Sequence, residues 1–352
     1  MAERKVIMLT DSSLTYEKVM APDAQAVLKR LEAYGAKIVY VQEQKGWDRS
    51  MFVEYASKVE KVGPEPFDVN PEFLKEAEDA EVIIANFAPV GSEIIKNGKQ
   101  LKLIGVTRSG AENINVEAAS ENGVKVAVAP GRLADPVSDY TVGMILAESR
   151  NIARMSIGDH NGEWMTDAPN SSYIKSLKGA TVGLVGYGII GQRVAAKLQA
   201  FGCNIIAYDP FCKPEVFAST NCKSVSLEEL MQTSDYVSVH ARLTKDTEGL
   251  VTKEHINMMK PTAFFINTAR AGLVDEDALV EALAAHKIGG AGLDVFSVEP
   301  IPQGHPILSL DNVTLTPHRA GNCSNLAAIS LDIIVSDIER YFKGEKLAHA
   351  KN

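Results

Sequence analysis

The chain is 352 residues long, more than one ordinary core can serve, and a length that suits two domains. Its 45% hydrophobic and 23% charged residues are the balance of a soluble globular protein. The formal net charge of −9 provides no basic stripe to replace counterions, which argues against a nucleic-acid partner.

The opening "MAERKVIMLT" passes from a short charged stretch into a strand-like segment, without the apolar region of a signal peptide, and no segment has the length of a membrane span. Short strands are expected at 5–10, 37–42, 81–86, 102–107 and 124–129, separated by helical stretches. Such alternation predicts a parallel sheet with helices on both faces. Residues 43–70 are less regular and read as a decoration of this domain. The break "PGRLADP" (130–136) precedes a helix in which Asp135 is the expected cap and Pro136 the first residue. Val137, Thr141, Met144, Ile145, Glu148 and Ile152 mark one face of it at helical spacing, and the helix reads either as a crossing between domains or as an ordinary surface helix.

A second α/β series starts at "ATVGLVGYGIIG" (180–191), with later strands expected at 204–209, 236–240, 263–269, 290–296 and 313–318. Ser226 and Glu229 have capping-box spacing at the start of the helix before the third of these strands. Residues 325–345 read as one amphipathic helix that stops near Gly344 and returns to pack on the first domain. Cys203, Cys212, Cys222 and Cys323 show neither CxxC pairing nor metal-ligand spacing, so no metal is expected and a reduced, cytoplasmic protein is.

Gly186, Gly188 and Gly191 form G-x-G-x-x-G between a strand and a helix. The first glycine permits a tight turn and the second lets backbone approach a pyrophosphate. The third allows close packing of helix and strand, while the helix N-terminus offers N–H groups to the phosphates. The next strand ends in Asp209, which can accept hydrogen bonds from the adenosine ribose and would repel a 2′-phosphate. NAD is the expected cofactor. Around it are expected Gly186, Gly188, Ile189, Ile190 and Gly191 of the loop, and Tyr208 and Asp209 after the second strand. His240, Ala241 and Thr247 follow the third strand, Thr268 and Ala269 the fourth, and Asp294, His318 and Ala320 complete the set.

Three ionisable residues stand at three strand ends of the same series: Arg270 after "AFFINTA", Glu299 after "GLDVFSV" and His318 after "VTLTP". Ligands of open α/β sheets sit beyond the carboxyl ends of the strands. An arginine fork can bind a carboxylate with two hydrogen bonds, and a histidine can take or return a hydroxyl proton. A carboxylate beside the imidazole orients it and stabilises its protonated form. Together they describe interconversion of a 2-hydroxy acid and a 2-oxo acid by hydride transfer. His240 and Asp294 read equally well as structural residues, Asp294 by satisfying backbone N–H groups. His160, His255, His286, His305 and His349 read as solvated.

The motifs "TRSGAENIN" (107–115), "VGYGIIGQ" (185–192), "HARLTKDTEGL" (240–250), "INTARAGLVDEDAL" (266–279), "GLDVFSVEP" (292–300) and "TPHRAG" (316–321) resemble the D-isomer-specific 2-hydroxy acid dehydrogenases over nearly the whole chain. The resemblance implies NAD-linked catalysis by Arg270, Glu299 and His318. It also implies a Rossmann NAD-binding domain (132–318) inserted in a split flavodoxin-like catalytic domain (1–131 and 319–352), and a homodimer formed through the nucleotide domains. By the same resemblance, substrate binding falls to Phe87, Ala88, Pro89, Val90 and Gly110, largely through backbone, with Arg270 and His318. The chain departs from the pattern at Ala271, where many members have glycine. "HARLT" replaces histidine-valine-proline-leucine-threonine, and Arg319 follows the histidine where small or apolar residues are usual. These departures bear on substrate choice. The loop "NFAPVG" carries no basic residue, unlike the phosphoglycerate enzymes of the family, so a non-phosphorylated acid of the glyoxylate or hydroxypyruvate kind is expected over a phosphoglycerate-like one, with Arg319 as a cation that could recruit a distal anion. Two other readings share the scaffold. Formate dehydrogenases resemble it but place glutamine where Glu299 stands. The C-terminal binding protein corepressors retain the trio while sensing the dinucleotide, and a turnover assay separates them from an enzyme.

Overall fold

The structure is a computed structural model and describes residues 3–43 and 49–352. The chain divides into two compact units, Met1–Arg132 with Cys323–Asn352, and Leu133–Asn322.

In the first unit β1 (Arg4–Thr10), β2 (Ala36–Gln42), β3 (Val82–Ala85), β4 (Leu103–Val106) and β5 (Lys125–Val128) form an all-parallel sheet of order β2-β1-β3-β4-β5. A sheet covered on both faces needs apolar residues at every position, and these strands supply them. Ile7, Leu9, Ile83, Ile104 and Val126 pack into one core, while Val6, Met8, Val82, Ile84 and Leu103 pack into the other. The helix Leu326–Phe342 covers the second face, as its amphipathic pattern predicts. It lies close to β4, where a Cβ on Gly105 would come within 2.4 Å of Ile334 Cγ2. Beyond that helix the chain returns, and Ala350 pairs antiparallel with Ala127 of β5. The fully buried Asp337 accepts the amides of Ala348 and His349. His349, expected to be solvated, instead sets its Nδ1 3.2 Å from that carboxylate. The stretch expected to be irregular contains a 14-residue helix, Arg49–Val62, while residues 44–48 lie outside the described residues.

The second unit holds β6 (Thr181–Val185), β7 (Asn204–Tyr208), β8 (Lys223–Ser224), β9 (Tyr236–Val239), β10 (Phe264–Asn267), β11 (Gly290–Leu293) and β12 (Val313–Leu315). Their order, β12-β11-β10-β9-β6-β7-β8, is again parallel throughout. The short β8 and the Pro214–Ser219 helix before it were not expected from the sequence. Ser226 caps the Leu227–Thr233 helix, accepting the Glu229 amide at 3.1 Å.

The helix Ala134–Arg150 belongs wholly to the second unit. Its N-cap is Leu133, so Asp135 and Pro136 lie within the first turn, and Asp135 pairs with Arg193 at 3.6 Å instead of capping. Val137, Thr141, Met144, Ile145 and Glu148 are buried as expected. Ile152 is not: Asn151 adopts a left-handed φ of 53°, ends the helix and leaves Ile152 57% exposed on the next one.

Candidate active site

Strand order decides where a ligand can sit. In the second sheet β6 has β7 on one side and β9 on the other, so successive connections leave in opposite directions and a crevice opens at their carboxyl ends. The glycine loop follows β6. Gly186 has a φ of 99°, and a Cβ there would lie 2.4 Å from the Ala241 nitrogen, so the turn and the chain leaving β9 touch only because the residue is glycine. A Cβ on Gly191 would meet the Gly186 carbonyl at 2.5 Å, which makes this glycine the contact between helix and turn. Gly188 has nothing within 4 Å of where its Cβ would be, an open cradle at the N-cap of the Ile189–Ala200 helix. Tyr187 anchors the loop from below: it is fully buried, stacks on Phe217 and donates its hydroxyl to Thr220 at 2.8 Å. Burial pushes its phenol up to about 12.

Asp209 follows β7 and faces the loop. Its Oδ2 accepts the Tyr187 amide at 2.8 Å, and Oδ1 accepts the amides of Phe211 and Cys212 at 2.9 and 3.1 Å. An ionised carboxylate has about four acceptor sites, so one is left for a ribose hydroxyl. Loop, open glycine and carboxylate fit a dinucleotide.

On the other side of the crevice, Glu299 Oε2 lies 2.8 Å from His318 Nδ1, and Glu299 Oε1 accepts the Phe296 amide at 3.0 Å. Burial alone would raise the Glu299 carboxyl. The hydrogen bonds from His318 and the Phe296 amide, with the charges of His318 and Arg270, bring it below its ordinary value. His318 takes a left-handed φ of 52°, uncommon for a residue with a side chain. What holds it there is Asp294. That fully buried carboxylate accepts the Thr316 hydroxyl at 2.7 Å and the amides of Arg319 and Ala320 at 2.8 Å each, gripping the chain on both sides of the histidine. With Nδ1 tied to Glu299, Nε2 has no hydrogen-bond partner among the described residues. Arg270 follows β10 in extended backbone, and Asn267 braces its turn by accepting the Ala269 amide and donating to the Arg270 carbonyl. Its Nη1 donates to the Ala269 carbonyl at 2.6 Å, and its remaining donors carry no bond among the described residues.

Comparisons with known proteins agree with this geometry. Residues 142–320 match the family model described as D-isomer specific 2-hydroxyacid dehydrogenase, NAD binding domain. A hydroxypyruvate reductase of Thermotoga maritima is 41% identical over 275 residues, covering 77% of this chain and 87% of that one. The chain belongs to the D-isomer-specific 2-hydroxyacid dehydrogenases. A D-3-phosphoglycerate dehydrogenase of Methanocaldococcus jannaschii is 38% identical over 80% of this chain, which spans about half of that longer relative, 53%. Among solved structures, a D-lactate dehydrogenase with NAD+ from Lactobacillus jensenii superposes with a TM-score of 0.75 over 99% of both chains, at 23% identity. The chain is thus an oxidoreductase of an NAD-binding family with the Rossmann fold.

A cavity of about 410 Å³ in the second unit brings together several of the residues expected around the cofactor, Ile190, His240, Ala241, Thr268 and Ala269, with Arg270 of the expected catalytic trio. The His240 Nε2 lies 2.9 Å from the Ser238 hydroxyl, its Nδ1 is enclosed without a partner, and burial pushes the imidazole down to about 4. Thr268 is buried and hydrogen-bonded to Thr141 at 2.7 Å, which fixes the wall of the cavity. Ile189 is half exposed on the first turn of its helix, and the Tyr208 carbonyl accepts the Gly186 amide. Thr247 acts within its own loop, donating to the Arg242 carbonyl at 2.6 Å and accepting the Thr244 amide at 2.8 Å.

The first unit shows what the sequence reading missed. Its strand order places the switch point between β1 and β3. There Asp11 accepts the amides of Ser13, Leu14 and Phe87 and faces Asn86 Nδ2, so a buried carboxylate shapes the start of the Phe87–Val90 loop. With the Phe87 amide on Asp11 and the Val90 amide on the Asn113 carbonyl, the loop's amides without a bond among the described residues are those of Ala88 and Gly91. Arg108, outside the expected set, lies 3.6 Å over the Phe87 ring and forms an ion pair with Glu60 and a longer one, 3.8 Å, with Glu112. Burial lowers its guanidinium in spite of these acids. A Cβ on Gly110 would fall 2.2 Å from the Glu112 carboxylate, so a side chain there would displace that carboxylate from beside Arg108.

Proposed function

We propose that the chain interconverts a small, non-phosphorylated D-2-hydroxy acid and its 2-oxo acid, with NAD preferred over NADP. The observation that carries the reading is the imidazole of His318, held through Nδ1 by Glu299 with Nε2 unpartnered, on the same sheet edge as an arginine with free donors. Bound nicotinamide supplies a hydride acceptor or donor. In oxidation the neutral His318 takes the hydroxyl proton at Nε2 as hydride leaves the carbon, and Glu299 stabilises the resulting imidazolium. In reduction the imidazolium returns that proton to the developing alkoxide. Arg270 grips the carboxylate and polarises the neighbouring oxygen. Asp209, already accepting three amides, adds a negative charge where a 2′-phosphate would fall.

Two features support a substrate without phosphate. The loop at 86–91 has no cation, and Arg108 is already matched by Glu60 and Glu112. A phosphate would have to compete with these acids for the Arg108 guanidinium, which is itself buried while the two carboxylates are half exposed. NADH consumption with glyoxylate, hydroxypyruvate, longer sugar-derived 2-oxo acids and 3-phosphohydroxypyruvate tests this. A higher kcat/KM for the phosphorylated acid than for every other acid would overturn the substrate class.

We also infer a homodimer formed through the nucleotide unit. Ile152 and Ile157 are 57% and 63% exposed on one helix, and Trp164 just beyond it is 85% exposed, an apolar surface suited to association. Sedimentation showing only monomer at assay concentrations would remove this element. No disulfide links the four cysteines, which suits a reducing, cytoplasmic setting.

A further inference from the structure

Arg242, the residue that makes "HARLT" unusual, has no part in the reaction derived above. We infer that it is a cationic clamp for the pyrophosphate of the dinucleotide, doing with a side chain what the glycine loop does with backbone. Three observations carry this.

The first is position. The chain leaving β9 touches the turn after β6, where a Cβ on Gly186 would collide with Ala241 N and Cα at 2.4 and 2.7 Å. Arg242 is the next residue, and it lines the same cavity as Ile190 from the first turn of the phosphate-facing helix.

The second is charge. Residues 186–191 carry no charged side chain, so the loop itself offers a diphosphate only N–H groups and the helix dipole. The cations further along that helix are engaged: Arg193 with Asp135 at 3.6 Å and Lys197 with Asp139 at 2.6 Å. Among the residues lining the cavity only Arg242 and Arg270 are cationic, and Arg270 is assigned to the substrate carboxylate. The guanidinium of Arg242 has no acid or hydrogen-bond partner among the described residues.

The third is rigidity. The Thr247 hydroxyl holds the Arg242 carbonyl at 2.6 Å and receives the Thr244 amide at 2.8 Å, so the loop is folded before any ligand arrives. An arginine based on a pre-formed turn loses less freedom on binding than one on a loose loop.

The experiment is a set of binding titrations, read by NADH fluorescence and by calorimetry for ligands without a nicotinamide, on unmodified protein, R242Q and R242K. R242Q should weaken NADH and ADP-ribose alike by about tenfold at low salt, roughly 1.4 kcal/mol. The difference should shrink as salt is raised, because an exposed ionic contact is screened. R242K should keep most of the affinity, and adenosine should bind all three proteins equally. The unmodified titration tests the dinucleotide site itself. If that protein binds NADH and R242Q binds it equally well, the clamp is overturned while the site stands. Equal losses for adenosine and ADP-ribose would place Arg242 on the adenine instead, and a loss confined to NADPH would place it on a 2′-phosphate. Either result overturns the assignment.

Discussion

The two units carry the same kind of edge and use it differently. Each is a parallel sheet with a switch point, and each has an aspartate beyond the first strand or its neighbour that shapes a loop by accepting amides, Asp11 in one and Asp209 in the other. In the second unit that order leaves reactive groups open: the Gly188 cradle, the free donors of Arg270 and the Nε2 of His318. In the first unit the Arg108 guanidinium is stacked on Phe87 and charge-matched by two carboxylates, although its Nη1 makes no hydrogen bond among the described residues. A group with unmet hydrogen-bonding capacity is ready to act on a ligand, whereas a satisfied one shapes a surface. Under the proposed function, chemistry belongs to the second edge, and the selection of substrates to the first.

The largest expected effect breaks this contrast at Arg270. Arg270→Lys keeps the charge and loses the planar fork, so kcat/KM for 2-oxo acids should fall by roughly 10²-fold, the scale of losing one oriented donor to a developing charge. NADH affinity, measured by fluorescence titration, should be unchanged. Near-normal turnover would mean that the carboxylate is gripped elsewhere and that the satisfied edge contributes more than selection.

Much of this contrast was legible in the sequence. Strands buried on both faces read as apolar runs, and the residues that end them fall at known positions, which is why Arg270, Glu299 and His318 could be named together. What was hidden depends on contacts between distant residues. Arg108 reaches the Phe87 ring from the exit of another strand, so a search for cations within "NFAPVG" missed it. Asp294 read equally well as a cofactor contact or as an acceptor of backbone N–H groups, but a motif does not display that the groups it grips are Thr316, Arg319 and Ala320. Thr247, expected on the cofactor, turns inward to its own loop. The helix after "PGRLADP" begins two residues early because Leu133 takes the cap position, so the apparent Asp-Pro start signal lies inside the first turn. Its apolar spacing runs on to Ile152, but Asn151 is one of the few residue types that tolerate a left-handed φ, and the helix breaks there.

A smaller effect is expected at Asp209. Asp209→Ser removes the negative charge that opposes a 2′-phosphate, and one acceptor of the Tyr187 amide with it. The ratio of kcat/KM for NADH over NADPH should fall by about tenfold, equivalent to roughly 1.4 kcal/mol. Equal efficiency with both cofactors in the unmodified protein would show that this carboxylate shapes the glycine loop without selecting the dinucleotide.

The finest test concerns the way Glu299 sets the state of His318. The Glu299 carboxyl lies below its ordinary value, so it stays ionised throughout the neutral range and its charge is present wherever the histidine titrates. A fixed negative charge 2.8 Å from Nδ1 favours the imidazolium. Glu299→Gln keeps the shape and an acceptor but removes that charge, so the imidazolium gives up its proton at lower pH. Reduction requires the imidazolium, and the high-pH limb of kcat/KM for 2-oxo acids should therefore move to lower pH. Oxidation requires neutral imidazole, so its low-pH limb should move down too, extending activity into more acidic solution. Both side chains are more than a third exposed, and solvent screening keeps the displacement small. His318→Ala, with no proton carrier at all, should be nearly inactive at every pH and serves as the reference. Profiles in both directions for the unmodified protein and Glu299→Gln decide the matter. If the rates fall while both limbs hold their positions, Glu299 only aims the ring, and the charge that favours the imidazolium comes from elsewhere on the open edge.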